Sequence, residues 1–580
     1  MHQAEILTTD ILILGSGGAG LFAALHAHDS DPSLDITVAV KGLLGKCGCT
    51  RMVQGGYNVA LAEGDSVERH FMDTITGGKW LPDQDLAWTL VNKAVERVHE
   101  LENELGCFFD RNVDGTLHQK AFAGQTFDRT VHKGDLTGIE IINRLAEQVW
   151  DRKIKRLEEH RALDLVPTED GTGVAGVLMV DVRTGQYRLV RAKAILLATG
   201  GGPTMYKFHT PSGDKSCDGL AMALRAGLGL RDMEMVQFHP TGLLAGADTR
   251  MTGTVLEEGL RGAGGYLLNG DHERFMEKVD PRGERATRDV VSRGIFAEMR
   301  AGRTTPNGGV YIQMSHLGPD KVRKQFKGMV ERCADCGFDL AAGLVEVVPT
   351  AHYMMGGLVF KPDCTTEWEG LFAAGEDTGG VHGANRLGGN GVANSTVFGG
   401  IAGDSMARWV QGRELAGYDA QKVASAIEAA ERPFAHAAAD LYLLRERLAD
   451  CMWNDAGIVR DKAGLERAAK TLEELHEELR HTGVTDGNRA FNLTWHDWLN
   501  IDSLLYVSKA IVHAALARED SRGAHFREDY PDVHDLENSW FSVIRLQDEQ
   551  LQLSREPVAF TRVRPGETIL EADELVVAGE

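Results

Sequence analysis

The sequence is poor in cysteine and contains no long apolar run. Eight cysteines among 580 residues are too few for a disulfide framework. The lone Cys-x-x-Cys pair, Cys333 and Cys336, has no neighbouring ligands with which to hold a metal ion or an iron–sulfur cluster. No apolar stretch is long enough to cross a bilayer, and residues 1–10 lack the basic start, apolar core and cleavage site of a signal peptide. These absences predict a cytoplasmic protein, or a peripheral one held on the cytoplasmic face of the inner membrane by a partner.

Positive charge is also scarce. The chain has 62 Lys and Arg against 85 Asp and Glu, a net charge of -23. Proteins that bind nucleic acid do so through basic surface, so we expect no nucleic-acid partner. The hydrophobic fraction of 43% and the charged fraction of 25% are ordinary for a globular protein. A chain of 580 residues exceeds a single hydrophobic core, so we expect several domains.

The N-terminal residues combine an apolar run with a glycine-rich turn. The run ILIL is followed by GSGGAG and then by an alanine-rich helical pattern, so that Gly15, Gly17 and Gly20 match GxGxxG between a strand and a helix. The first glycine permits the turn, the second lets a pyrophosphate approach the backbone, and the third lets helix and strand pack closely. The next predicted strand ends in Lys41 rather than in the acidic residue that holds an NAD ribose, which favours FAD over NAD.

Two further glycine-rich loops follow predicted strands. One lies in AKAILLATGGG, which contains Thr199 and Gly200, and the other in GLFAAGEDTGGVHG, which contains Glu376. Glycine beside polar residues at the end of a buried strand suits a loop that passes close to a bound cofactor. Three such loops predict one cofactor held by a dispersed domain. The mixed segment between the second and third loops indicates an inserted domain, and helical periodicity dominates after residue 404.

Several segments place an ionisable side chain beside Gly, Pro or Thr at the ends of predicted elements. Each of these side chains alone has an ordinary structural explanation as a turn residue, an ion-pair partner or a solvated charge. Together, two His and two Arg predict a pocket for an anionic substrate, because a guanidinium group matches a carboxylate in two parallel hydrogen bonds. The residues are His239 in VQFHPTG, Glu257, Glu258 and Arg261 in VLEEGLRGAGG, Arg288 in ATRDVVSR, His352 in VVPTAHYMMGG, and Arg386 in GANRLGGN.

These motifs and their order resemble the flavoprotein subunit of the succinate dehydrogenase/fumarate reductase family, which also includes L-aspartate oxidase. The resemblance runs from about residue 8 to at least residue 530. It rests on GSGGAG, QGGYNVAL, DGLAMALRAG, QFHPTG, EGLRGAGGYLLN, RDVVSR, PTAHYMMGG, GEDTGGVHGANRLGGN and SRGAHFREDYP. It implies an α/β fold: a Rossmann-like FAD-binding domain (1–238 and 356–410) with an inserted α+β capping domain (239–355), then a helical domain (411–530) and a small C-terminal domain (531–580).

The resemblance also implies a mechanism and a set of site residues. A hydride would pass between the substrate and flavin N5, while a proton passes through Arg288, relayed by Glu258 and Arg261. The substrate-binding residues would be His239, Glu257, His352 and Arg386. The isoalloxazine ring would lie against Gln54, Gly55 and Gly56, the adenosine half near Asp218, and the ribitol or ribose near Glu376. The full cofactor-binding set would be Gly15, Gly17, Gly20, Lys41, Cys49, Thr50, Gln54, Gly55, Gly56, Thr199, Gly200, Asp218, Glu376 and Arg386.

Two residues depart from the family pattern. Respiratory members carry a His that bonds covalently to FAD in an HTxAAQGG setting, whereas this chain has CTRMVQGG, with Cys49 at that position. We therefore predict noncovalent FAD. Glu257 stands where members often have Thr, and a glutamate repels a substrate carboxylate unless it is protonated or paired. Glu257 leaves the exact substrate open, because it could recognise an amino group instead.

The sequence thus predicts an FAD-dependent oxidoreductase that interconverts succinate and fumarate or acts on a close dicarboxylate. The resemblance implies that the electron partner is an iron–sulfur subunit, which would also provide a link to a membrane anchor. One alternative is L-aspartate oxidase, whose substrate differs from succinate by one amino group. The other is a flavin-binding electron-relay subunit without its own substrate. Substrate identity, physiological direction, electron partner and oligomeric state stay open at this point.

Overall fold

The computed structural model describes residues 4–213, 215–247 and 249–571, which form a mixed α/β structure. No helix within these described ranges is long and apolar enough to span a bilayer. The strands are β1 (Glu5–Leu14), β2 (Ile36–Val40), β3 (Tyr57–Asn58), β4 (Gln119–Lys120), β5 (Thr130–Val131), β6 (Lys155–Glu158), β7 (His160–Pro167), β8 (Val174–Asp181), β9 (Tyr187–Leu197), β10 (Leu230–Arg231), β11 (Val236–Leu243), β12 (Tyr266–Leu268), β13 (Val310–Gln313), β14 (Leu344–Met354), β15 (Gly357–Leu358), β16 (Leu371–Ala373), β17 (Trp540–Gln547) and β18 (Gln550–Pro557).

The helices are of very different length and composition. The longest, with 25 residues, is buried around most of its surface and forms a core element of the C-terminal half. The helices are α1 (Gly18–Ser30), α2 (Val67–Gly77), α3 (Gln84–Asn103), α4 (Thr137–Asp151), α5 (Asp218–Arg225), α6 (Gly259–Gly262), α7 (Met276–Val279), α8 (Arg288–Arg300), α9 (Pro319–Gln325), α10 (Lys327–Asp335), α11 (Asn390–Trp409), α12 (Ala420–Glu431), α13 (Leu441–Asp455), α14 (Lys462–Arg480) and α15 (Leu493–Ala517).

The central sheet has seven strands in the order β6-β2-β1-β9-β8-β7, with β16 also paired to β9. β1 runs parallel to both β2 and β9, and its four apolar residues before Gly15 are fully buried because each face of the strand packs into a hydrophobic core cluster. α11 packs very closely on α1: a Cβ on Gly399 or Gly403 would lie 2.6 or 2.4 Å from a carbonyl oxygen of α1. This contact holds the loop before α11 above the N-terminus of α1.

A second, antiparallel sheet has the order β11-β14-β13-β12. β11 and β14 pair with His239 opposite Thr350, so that His239 and His352 lie on neighbouring strands. α8 packs against β11, and its first residue is Arg288. The sheet therefore brings together three side chains that are far apart in the sequence.

The C-terminal strands complete a third sheet, β15-β10-β17-β18, whose first two strands come from the middle of the chain. β17 pairs antiparallel with both β10 and β18. The Gln84 side chain at the start of α3 binds the backbone of Val563, which fixes the residues after β18. The predicted domain boundaries stay predictions, and residues 572–580 of the predicted C-terminal domain lie outside the described residues.

A half-buried histidine connects the helices α1, α3 and α11. His26 on α1 places Nδ1 3.0 Å from Asp404 Oδ1 on α11 and Nε2 2.9 Å from Glu100 Oε1 on α3. Burial alone would lower the pKa of His26, but the contacts with Asp404 and Glu100 outweigh it and raise the pKa to about 8. This cluster is far from the chemistry described below, but it makes the stability of the fold depend on pH.

Candidate active site

One cavity, of about 470 Å³, extends from the carboxyl end of β1 to the β11–β14 sheet. Gly20 and Arg261 do not line it and pack directly behind its wall, whereas all the other predicted site residues do line it. Its predicted lining residues are Gly15, Gly17, Lys41, Cys49, Thr50, Gln54, Gly55, Gly56, Thr199, Gly200, Asp218, His239, Glu257, Glu258, Arg288, His352, Glu376 and Arg386.

The glycine turn at one end of the cavity is shaped by backbone contacts. Gly15 has φ +112°, and a Cβ there would lie 2.0 Å from the carbonyl oxygen of Ala198. A Cβ on Gly20 would lie 2.1 Å from the carbonyl oxygen of Gly15, so this glycine allows α1 to begin close to the strand. The backbone N–H of Gly18 donates to Thr50 Oγ1 at 3.1 Å. The first turn of α1 thus opens to the cavity as an anion-binding helix N-terminus.

Three carboxylates lie beyond the glycine turn, and two of them, Asp218 and Glu376, line the cavity. Asp218 accepts hydrogen bonds from Lys41 and Arg161, each at 2.8 Å, and these two cations overcome the effect of burial and lower its pKa. Asp377 accepts hydrogen bonds from the Thr199 hydroxyl and the Gly200 N–H, both at 3.0 Å. These contacts fix the loops that the sequence predicts beside the cofactor.

Glu376, the third carboxylate, lies between the loop after β9 and the end of β14. Its Oε1 accepts a hydrogen bond from the backbone N–H of Met354 at 2.9 Å. Burial raises the pKa of Glu376 to about 7, so its protonation state is sensitive to whatever occupies the cavity.

The segment around Gln54 offers a bare surface for a flat ring. Gln54 donates through Nε2 to the carbonyl of Val255 at 3.2 Å, while its Oε1 is buried and has no hydrogen-bond partner among the described residues. A Cβ on Gly55 would lie 2.5 Å from the Phe122 ring, and a Cβ on Gly56 would lie 2.3 Å from the carbonyl oxygen of Val131. Buried amide oxygens are rarely left unsatisfied, so Gln54 is suited to accept a hydrogen bond from a bound group.

Two neutral histidines form one wall beyond this surface. The rings of His239 and His352 lie 5.3 Å apart, centroid to centroid. Burial, followed by the nearby Arg288 charge, lowers the pKa of both rings well below the ordinary value. His239 Nδ1 accepts a hydrogen bond from the Thr241 N–H at 3.3 Å, which places the proton of the neutral ring on Nε2. The Thr210 hydroxyl lies 2.9 Å from His352 Nδ1, so each ring keeps Nε2 for a ligand.

Arg386 faces the same space from the loop before α11. Its guanidinium carbon lies 4.3 Å from the centre of the Tyr353 ring, and its Nε is buried without a hydrogen-bond partner among the described residues. Burial, and then the neighbouring Arg288, lowers the pKa of Arg386 to about 10, which still leaves it charged at neutral pH. A Cβ on Gly391 would lie 2.9 Å from Arg386 Nη1, so the glycines keep this loop open around the guanidinium group.

Arg288 is held by a carboxylate and an amide. Its Nε and Nη2 both donate to Glu258 Oε2, at 3.1 and 2.7 Å, and its Nη1 donates to Gln237 Oε1 at 3.1 Å. Glu258, directly before α6, also accepts a hydrogen bond from Arg261 Nη2 at 3.3 Å. These two arginines overcome the effect of burial and lower the pKa of Glu258, which stays ionised. A Cβ on Gly388 would lie 2.6 Å from Glu258 Oε2.

Glu257 lines the same cavity, but its carboxyl group contacts a lysine, whereas that of Glu258 contacts arginines. Its Oε2 lies 3.2 Å from Lys120 Nζ. Burial raises the pKa of the Glu257 carboxyl group, and Lys120 opposes this only in part. Glu257 is thus paired with one lysine, while burial still favours its protonated form.

Some residues of the site were not found from the sequence. Gln237 precedes His239 by two positions on β11, and this period-two spacing is the one signal that could have revealed it. Tyr353 follows His352 directly, but nothing in its spacing predicts a guanidinium on its ring. Thr210 and Lys120 lie in an irregular segment and in a two-residue strand, without a motif of their own.

The glycine turn, the open helix N-terminus and the unsatisfied Gln54 oxygen fit a flavin dinucleotide, and comparison with known proteins agrees. The family model described as "FAD binding domain" matches residues 10–392, and that described as "Fumarate reductase flavoprotein C-term" matches residues 445–569. The protein is thus an FAD-dependent oxidoreductase with a Rossmann-like FAD-binding region, as the sequence predicts.

More specific similarity comes from single proteins. A component of the CoM/CoB fumarate reductase of Methanothermobacter marburgensis is 40% identical over 92% of this chain and 96% of its own length. The flavoprotein subunit of 8-methylmenaquinol:fumarate reductase of Wolinella succinogenes is 34% identical over 91% and 87%. A solved structure of the Escherichia coli quinol fumarate reductase flavoprotein, 31% identical, superposes with a TM-score of 0.91 over 97% of this chain and 99% of that one. The chain belongs to the succinate dehydrogenase/fumarate reductase flavoprotein family, which confirms the predicted resemblance.

Proposed function

We propose that this protein interconverts succinate and fumarate, or a close dicarboxylate. The observation that carries the proposal is the wall formed by His239, His352, Arg386 and Arg288 in the FAD cavity. The two arginines are buried, and the Nε2 atoms of the two neutral imidazoles have no hydrogen-bond partner among the described residues. These four side chains are suited to bind two carboxylates. The named activities of the relatives, fumarate reductases from several organisms, agree with it.

FAD, when bound, supplies the hydride acceptor or donor for this reaction. The residues of the chain would bind the substrate, orient it and transfer the proton. Arg386 and His352 would hold one carboxylate, and His239 the other, which fixes the reacting carbons in one orientation. Arg288 would carry the proton: Glu258 holds its guanidinium group by two hydrogen bonds, and Arg261 supports that carboxylate from behind.

A substrate panel tests this function. The FAD-loaded chain should oxidise a reduced viologen dye with fumarate, and it should reduce an artificial acceptor with succinate. L-Aspartate with oxygen should give no peroxide. Peroxide and iminoaspartate formed from aspartate, without fumarate reduction, would favour the L-aspartate oxidase alternative, for which Glu257 in the cavity is the specific observation. Activity with no member of the panel would favour an electron-relay subunit.

We propose that FAD is bound noncovalently. The residue at the position of the family's flavin-linked histidine is Cys49, which lies half-buried at the cavity. Precipitation of the holoprotein with trichloroacetic acid should leave the flavin absorbance in the supernatant. Yellow colour retained in the washed pellet would contradict this part of the proposal.

The electron partner is proposed to be a separate iron–sulfur subunit, with a membrane anchor through it. The relatives are named as subunits of reductases, which supports a partner subunit. Among the described residues, no group of three or more His, Cys, Asp or Glu could hold a metal ion. The chain purified alone should contain flavin but no iron, and should turn over with viologen. Iron in stoichiometric amount in the isolated chain would contradict the proposal.

A further inference from the structure

The part of the cavity wall that contains Glu257 differs from the rest of the site in its charge. Glu257 and Glu258 are neighbours in sequence, but their side chains diverge: Glu258 binds two arginines, whereas Glu257 meets a single lysine. Glu257 therefore adds to the cavity a carboxyl group with one hydrogen-bonded cation among the described residues, whereas the arginines and histidines of the cavity suit anions.

The two oxygens of Glu257 have different surroundings. Oε2 accepts a hydrogen bond from Lys120 Nζ at 3.2 Å. Oε1 has no hydrogen-bond partner among the described residues, although the side chain is 6% exposed and lines the cavity. A Cβ on Gly259 would lie 3.0 Å from Oε1, so bare backbone adjoins this oxygen. An oxygen at the cavity wall without a partner is placed to contact a ligand.

The charged groups that act on Glu257 come from three parts of the chain. Lys120 lies on β4, Asp135 before α4, and Arg332 on α10. Lys120 and Arg332 favour the ionised carboxylate, and Asp135 opposes it. Arg332 is committed to the carbonyl of Val255 at 3.1 Å. Burial and Asp135 favour the protonated form, so a negative charge brought close to this carboxyl group would favour it further.

A dicarboxylate brings that negative charge. Two ionised carboxylates in contact in a buried site repel each other, and one lysine cannot neutralise both. A protonated Glu257 removes the repulsion and donates an O–H···O⁻ hydrogen bond, which is among the stronger hydrogen bonds in proteins. Lys120 can keep its contact with Oε2 while Oε1 carries the proton.

We propose that Glu257 takes up one proton when the dicarboxylate binds and donates a hydrogen bond from Oε1 to the substrate carboxylate. Glu257 is thus a substrate-binding residue whose proton makes affinity depend on pH. This inference rests on the proposed function, because it requires a dicarboxylate in the cavity. It also explains how a carboxyl group can belong to an anion-binding site.

The test compares the wild type with Glu257→Gln, an isostere that donates a hydrogen bond at every pH. Fumarate KM of the two FAD-loaded proteins is measured from pH 6 to pH 9, and proton uptake on binding of malonate, a dicarboxylate that is not turned over, is followed with a pH indicator. The pKa of Glu257 should be higher with the dicarboxylate bound than without it. At pH values between these two pKa values, the wild-type KM should rise with pH more steeply than the KM of the variant, by up to about tenfold per pH unit. The wild type should also take up one more proton per malonate bound.

A second variant tests the role of the lysine. Lys120→Met removes the cation that opposes protonation, so the KM rise should begin at a higher pH than in the wild type. Parallel KM profiles and equal proton uptake in the wild type and Glu257→Gln would overturn the inference while leaving the proposed function intact. If Glu257→Gln lost aspartate oxidation while its pH profile of fumarate KM matched that of the wild type, the inference would be overturned. Glu257 would then bind the ammonium group of a substrate. If the wild type neither binds malonate nor reduces fumarate, the proposed function fails, and the inference with it.

Discussion

Replacing Arg288 with lysine tests the proton-transfer role most sharply. Arg288 makes two hydrogen bonds to Glu258 Oε2 and one to Gln237 Oε1. Lysine keeps the positive charge that Glu258 requires, but one ammonium group cannot reproduce this three-point geometry. Positioned general acid catalysis contributes about 10²- to 10⁴-fold, so kcat should fall by that factor, equivalent to about 3–5 kcal/mol in the activation barrier.

The assay is viologen-linked fumarate reduction, normalised to bound flavin. Arg300→Lys is the matched control, because Arg300 ends the same helix and pairs with Glu528 at the surface. The control should retain wild-type turnover, since exposed pairs contribute little. If Arg288→Lys kept kcat within about tenfold of the wild type with FAD bound, the proton-transfer role of Arg288 would be wrong.

Three further predictions concern other parts of the structure. Arg386→Gln should raise fumarate KM about 100-fold, or about 3 kcal/mol, because it removes a buried charged partner of the substrate; unchanged KM in initial-rate assays would contradict the carboxylate role. Gly15→Ala should yield flavin-free protein after desalting, because its Cβ would lie 2.0 Å from the Ala198 carbonyl oxygen; normal flavin absorbance would contradict it. His26 has a pKa raised from 6.5 to about 8, which contributes about 2 kcal/mol of stability below pH 6.5 that is lost as pH rises through 8. Thermal melts of His26→Gln should lose this pH dependence, and parallel melts of the two proteins would refute it.

Local features of the fold could be predicted directly from the sequence. The strand before Gly15, the turn and α1 follow from a four-residue apolar run, a glycine pattern and helical periodicity, which are all short-range signals. The predicted second strand is β2, shortened by one residue at each end. These elements depend on interactions between residues that are near in sequence.

The convergence of the site could not be derived in this way. His239 and His352 meet because β11 and β14 pair, and this pairing joins strands about a hundred residues apart, for which periodicity gives no register. The residues themselves predict an anion pocket, and the separate roles of its members are implied only by the family resemblance. Lys120 has no motif at all, because its function as the partner of Glu257 depends on where a two-residue strand is placed in space.

Gly388 is a single residue whose role could not be predicted from the sequence. The glycine-rich run around Arg386 predicts a close approach but does not say of what. The structure shows that a Cβ on Gly388 would meet Glu258 Oε2 at 2.6 Å and Arg288 Nη2 at 3.1 Å. The bare backbone therefore makes room for the ion pair of Glu258 and Arg288, which lines the same cavity.

A crystal structure of the FAD-loaded protein with malonate tests the central claim most directly. One carboxylate of malonate should contact Arg386 and His352, and the other should contact His239, with Arg288 beside the carbon between them. Malonate bound away from these four side chains, or an empty cavity at saturating malonate, would contradict the proposed dicarboxylate site.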